Sequence, residues 1–117
     1  ILSTSNAIEI QESFALFDKL YKNQRKLTFC HNDLSPMNVF FDEKLKFIDW
    51  EYAGLNLPIY EIASIKKSFN FSSDQLNIFL KAYGQDFNPS EIEEFEVFIG
   101  FVEKIWQKVT NKLKSNQ

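Results

Sequence analysis

Glycine is scarce in this chain. There are three in 117 residues, at Gly54, Gly84 and Gly100, and no two of them are neighbours. A phosphate-cradling loop needs several glycines within a few residues so that backbone N–H groups can close on the anion, so none can form here. Arginine is scarcer still: Arg25 stands alone among 13 basic residues, and the net charge is −3. Nucleic-acid faces concentrate positive charge and rely on arginine, which excludes nucleic acid as a first reading. One cysteine, Cys30, excludes an internal disulfide and fits a reducing compartment. No apolar run reaches the roughly 18 residues of a membrane span. The chain opens on Ile1 with no signal-peptide pattern behind it, so its natural start is expected upstream.

The residues present are those of a folded domain. Hydrophobic residues make up 44% and charged residues 25%, in a chain sized for one domain over residues 1–117. Asn6 and Glu9 have capping-box spacing, and Ile10, Phe14, Phe17 and Tyr21 follow on one face of an expected first helix. Asn23 to Lys26 is polar and ends it. Leu27 to Cys30 is short, apolar and β-prone, as a buried strand would be. His31 to Asn38 breaks every periodicity and contains Pro36, so it reads as a loop. Asn38–Phe41 and Lys44–Ile48 predict a hairpin turning at Asp42-Glu43, and Asp49 to Leu57 is again irregular.

Three helices are predicted after that. Pro58 suits a first turn, with Ile59, Ile62, Ile65 and Phe69 behind it. Ser72 and Gln75 form a capping box before Leu76, Phe79, Leu80 and Tyr83, and Gly84 can end that helix. Asn88-Pro89-Ser90-Glu91 starts a long helix running to about Lys114, striped by Ile92, Phe95, Ile99, Val102, Trp106, Val109 and Leu113. Core packing is the expected role of that stripe.

The chemistry concentrates between Phe29 and Gly54, F-C-H-N-D-L-S-P-M-N-V-F-F-D-E-K-L-K-F-I-D-W-E-Y-A-G. His31, Asp33 and Asn38 share one loop, and a hairpin folding back would bring Asp49 beside them. Two carboxylates and an amide oxygen are hard donors of the kind Mg²⁺ takes together with water and phosphate oxygens. Without a cation, two carboxylates in one pocket would repel, and one would keep its proton.

His-x-Asp-x-x-x-x-Asn, a hairpin and then Ile-Asp-Trp-Glu resembles the catalytic segment of the aminoglycoside phosphotransferase and choline kinase superfamily. F-C-H-N-D-L followed by I-D-W-E-Y-A-G is most similar to choline/ethanolamine kinases. The resemblance implies an α+β fold, the protein-kinase-like C-terminal lobe: mostly helical, with a small hairpin carrying the catalytic loop. It implies ATP- and Mg²⁺- (or Mn²⁺-) dependent phosphorylation of a small amino alcohol, choline or ethanolamine first, in the cytoplasm. Asp33 matches the residue that takes or orients the hydroxyl proton, and Asn38 and Asp49 match the metal ligands. His31 matches a histidine that shapes the loop. Glu51 matches an acidic neighbour of the metal. Tyr52 matches an aromatic lining the choline site, and Trp106 a late-helix aromatic set over a quaternary ammonium.

Some positions depart from that pattern. Met37 stands where relatives carry a small residue. Glu61 replaces the usual aspartate, its extra methylene expected to shift its bond to the catalytic loop, and Ser68 falls near the position of the quaternary-ammonium carboxylate. Family kinases also carry an N-terminal lobe with a nucleotide-covering loop and a lysine, whereas one helix precedes the catalytic loop here. The chain is therefore expected to be a C-terminal lobe alone, inactive by itself, with bared apolar surface that favours a homodimer. The alternatives are an aminoglycoside-type phosphotransferase and an incompetent lobe serving as an interaction module.

Overall fold

The protein is described by a computed structural model over residues 4–22 and 26–115. In chain order it forms helix α1 (Thr4–Tyr21), strand β1 (Thr28–Cys30), a 3-10 turn (Pro36–Asn38), and strands β2 (Val39–Asp42), β3 (Lys44–Phe47) and β4 (Gly54–Asn56). Helices α2 (Pro58–Ser68), α3 (Ser73–Tyr83) and α4 (Pro89–Ser115) follow. This is the mostly helical α+β architecture expected. It divides into two compact units, Arg25–Glu96 and Ile1–Gln24 with Val97–Gln117.

Local chemistry accounts for most boundaries. Proline occupies the first turn of α2. Ser72 accepts from the Gln75 N–H at 3.2 Å, while the Gln75 side chain accepts from the Ser72 N–H at 2.9 Å, which makes the capping box reciprocal. Gly84 ends α3 at φ 86°, a left-handed conformation glycine adopts without a side-chain clash. Asn88 Oδ1 accepts from the Ser90 N–H at 3.0 Å at the start of α4.

Several expectations need correction. The strands form two separate two-stranded sheets, β2 with β3 and β1 with β4, where one hairpin was expected. The second sheet uses Gly54–Asn56, inside the stretch read as irregular, paired as Thr28↔Asn56, Phe29↔Leu55 and Cys30↔Gly54. Three residues centred on one leucine carry no alternation to read, and their partner lies far off in sequence. Strand β1 is not buried as a whole: Cys30 is, whereas Phe29 is 68% exposed. Helix α1 starts at Thr4, so Asn6 lies inside it, and the Asn6 side chain and Asn23–Arg25 fall outside the described residues. Its buried positions are Ser13 and Leu20, not Phe14 or Phe17.

Within Arg25–Glu96, Ile59, Ile62 and Ala63 of α2, Leu76 of α3, and Ile92 and Phe95 of α4 are buried. Burying each large apolar side chain contributes about 1.5–3 kcal/mol. Lys66 and Glu96 pair at the margin of this core. The hairpin register puts Val39, Phe41, Leu45 and Phe47 on one face and Phe40, Asp42, Lys44 and Lys46 on the other. Of that apolar face Phe41, Leu45 and Phe47 are exposed, Phe41 to 78%.

In the other unit, Phe17 stacks on Tyr21 at 4.6 Å, and Phe98 lies 5.9 and 6.2 Å from the two rings. Glu9 pairs with Lys108 at 2.6 Å and Lys104 at 3.3 Å, and the Lys108 hydrogen bond above all holds its carboxyl below the ordinary range. Ile99 is buried, but Trp106 is 61% exposed and Val102, Val109 and Leu113 are exposed too, so the α4 stripe packs only in its first half.

Candidate active site

Strand β1 delivers the chain into the loop 31–38, and its pairing with β4 holds the start of that loop beside Gly54. His31 is buried at the junction. Its Nε2 lies 2.7 Å from the Ile48 carbonyl, and its Nδ1 lies 3.2 Å from the Asp33 N–H. A carbonyl can only accept and an amide N–H can only donate, so the ring carries its proton on Nε2. The neutral ring thus connects the loop to the end of β3. Trp50 packs against it at 4.6 Å and stacks on Phe29 at 6.2 Å.

The loop then closes on itself. Asn38 Nδ2 donates to the Asp33 carbonyl at 2.9 Å, and the Asn38 N–H donates to the Ser35 carbonyl at 2.9 Å. The Ile48 N–H donates to the Asn38 carbonyl at 2.9 Å, immediately before Asp49. With its nitrogen fixed on Asp33, the Asn38 amide turns its oxygen away from that carbonyl. Asp49 sits at φ 60° and Asn32 at φ 69°, both left-handed conformations that aspartate and asparagine tolerate better than most residues. Such backbone settings persist where surrounding structure over-determines them, commonly at functional sites.

The Tyr52 hydroxyl is pushed above its ordinary pKa, first by the Glu51 charge, then by partial burial, and further by Asp33 and Asp49. Asn38 is tied to the Asp33 carbonyl on one side and, on the other, to the Ile48 N–H that precedes Asp49. Among the described residues no three His, Cys, Asp or Glu side chains are grouped as a metal cage. The Asp33 and Asp49 carboxylates and the Asn38 amide oxygen are, by residue type, hard donors of the kind Mg²⁺ takes together with water and phosphate oxygens. Trp106 belongs to the other compact unit. Cys30 beside the loop is buried, and that burial above all pushes its thiol pKa up, away from the reactive thiolate.

Glu61, in the first turn of α2, holds the loop from below. Its Oε2 accepts from the His31 N–H at 2.7 Å and its Oε1 from the Asn32 N–H at 3.0 Å. The extra methylene therefore does not cost it the loop: both oxygens reach. Glu61→Ala would leave two partly buried N–H groups unpaired at about 1–3 kcal/mol each. We expect it to lower unfolding stability by about 2–5 kcal/mol in urea, and Glu61→Asp by less. An unchanged urea midpoint in Glu61→Ala would show that the loop holds without the clamp.

Sequence reasoning missed Asn32 and Asn56. Asn32 Nδ2 donates to the Tyr52 carbonyl at 2.9 Å, and Asn56 Nδ2 donates to Asn32 Oδ1 at 3.1 Å. The available signal was the pair itself: asparagine between His31 and Asp33, and asparagine just before Leu57-Pro58.

Comparison with known proteins follows the same residues. The phosphotransferase enzyme family model matches residues 4–95. Protein LicA of Haemophilus influenzae is 41% identical over 69 residues, 58% of this chain and 26% of that protein. A LicA homolog of Mycoplasma capricolum is 28% identical over 108 residues, 91% of this chain and 45% of that protein. The chain thus spans less than half the length of these curated relatives. Among solved structures, the choline kinase LicA from Streptococcus pneumoniae superposes with a TM-score of 0.77 at 24% identity, covering 92% of this chain and 40% of that one. LicA has also been solved in complex with AMP.

Proposed function

The chain belongs to the phosphotransferase enzyme family and is choline-kinase-like within it, and from that premise we propose that it supplies the catalytic and metal-binding lobe of an ATP-dependent kinase for a small amino alcohol, choline first. The observation that carries this reading is the closed loop. Asn38 holds the Asp33 carbonyl, and Ile48, the residue before Asp49, holds the Asn38 carbonyl. A nucleotide as co-substrate is supported by the LicA solved with AMP.

In this mechanism the substrate hydroxyl oxygen bonds to the γ-phosphorus of ATP as the bond from that phosphorus to ADP breaks, and the hydroxyl proton goes to the Asp33 carboxylate. Asn38 Oδ1 and Asp49 would hold Mg²⁺ or Mn²⁺, which when bound offsets the charge of the phosphate oxygens. Glu51 adds negative charge beside that position, and Tyr52 offers an aromatic surface to the substrate ammonium. His31 and Glu61 keep the loop in shape and touch no reactant.

The test is ATP consumption by the full-length protein against choline, ethanolamine and an aminoglycoside. We expect choline to give the highest kcat/KM. Turnover of the aminoglycoside alone would move the protein to antibiotic-type substrates, and no turnover of any alcohol would refute the kinase reading.

A further inference from the structure

Four groups beside the loop form one directed line of hydrogen bonds. The Leu57 N–H donates to Asn56 Oδ1 at 2.8 Å, Asn56 Nδ2 donates to Asn32 Oδ1 at 3.1 Å, and Asn32 Nδ2 donates to the Tyr52 carbonyl at 2.9 Å. The two ends fix its direction. A backbone N–H can only donate, so Asn56 must show it an oxygen and turn its nitrogen toward Asn32. Asn32 must then present oxygen to Asn56 and nitrogen to Tyr52, whose carbonyl can only accept. Neither amide can flip without opposing two acceptors or two donors.

We propose that this asparagine relay is a positioning device that ties the entry of α2 to the Tyr52 segment and so sets the alcohol-binding side of the site. It rests on the kinase reading above. Three observations support it. Asn32 lies directly between His31 and Asp33, so the residue that fixes Tyr52 also fixes the approach to the proposed base. Its left-handed backbone and the Glu61 bond to its N–H hold it from the main-chain side, leaving its side chain to act on Tyr52. The charges of Glu51, Asp33 and Asp49 push the Tyr52 phenol above its ordinary pKa, and moving this segment would change the aromatic surface assigned above to the substrate ammonium. Asn32 and Asn56 are positioning residues, acting only through Tyr52 and Asp33.

Asn56→Asp tests it. The aspartate still accepts from the Leu57 N–H, so the start of α2 keeps its bond, but it has no N–H to give Asn32. If Asn32 flips to meet it, its oxygen opposes the Tyr52 carbonyl. Asn32→Gly is the second variant, since glycine accepts the left-handed backbone and removes only the side chain. In the full-length protein both variants are expected to raise KM for the alcohol about tenfold, as loss of an orienting outer hydrogen bond does, with KM for ATP unchanged. Carbon-13 NMR of the Tyr52 carbonyl should shift in both. Variants that lose only melting temperature, with both KM values and the carbonyl shift at wild-type values, would overturn the proposal and leave a structural role. If the wild type phosphorylates no alcohol, the kinase reading fails and the carbonyl decides alone: a shift supports the relay, and no shift overturns it.

Discussion

Asp33→Asn in the full-length protein is expected to lower kcat by about 10²–10⁴-fold, the range that a positioned general base supplies, with KM for ATP nearly unchanged. The variant should fold normally, because the loop uses the backbone of Asp33 and not its carboxylate: the N–H donates to His31 and the carbonyl accepts from Asn38. An asparagine there keeps those bonds and its size, and loses only the ability to take a proton. A parallel measurement of melting temperature separates this from damage to the fold. A fall in ATP affinity as large as the fall in kcat would instead assign Asp33 to nucleotide binding.

The 117 residues taken alone are expected to show no measurable phosphorylation of choline, ethanolamine or an aminoglycoside. Their three glycines are too dispersed to build a nucleotide-covering loop. A surface that binds the phosphates from one side leaves them open to water and free to turn. Positioning accounts for about 7–11 kcal/mol of a reaction barrier, so losing much of it removes several decades of rate. Joining the chain to a nucleotide-covering lobe should restore turnover, and ATP consumption compared between the two forms is the check. Turnover by the 117 residues alone, abolished by Asp33→Asn, would show that this surface suffices.

The hairpin, the capping box at Ser72, the glycine stop at Gly84 and the proline starts of α2 and α4 were legible because each depends on residues a few positions apart. The loop carrying Asp33 and Asn38 was legible as a motif, from spacing and resemblance. What stayed hidden depends on distant partners. Strand β4 exists because β1 pairs with it across 24 or more residues of chain, and Gly-Leu-Asn announces nothing by itself. Asn32 and Asn56 look like ordinary turn formers until the fold sets one against the other. The faces of α1 and of the last turns of α4 were misread because periodicity names a stripe and cannot say whether anything covers it. Trp106 and Phe14 are apolar and exposed for that reason.

Asp49 holds a left-handed backbone conformation that glycine adopts with less strain than aspartate. Glycine would relieve it, so stability and chemistry ask for different residues at this position. A randomised library sorted only for soluble, protease-resistant protein would therefore enrich Asp49→Gly. A library sorted on phosphorylated product would discard it, and the difference between the two outcomes would mark how much of the fold's stability has been given up to keep a carboxylate where it stands.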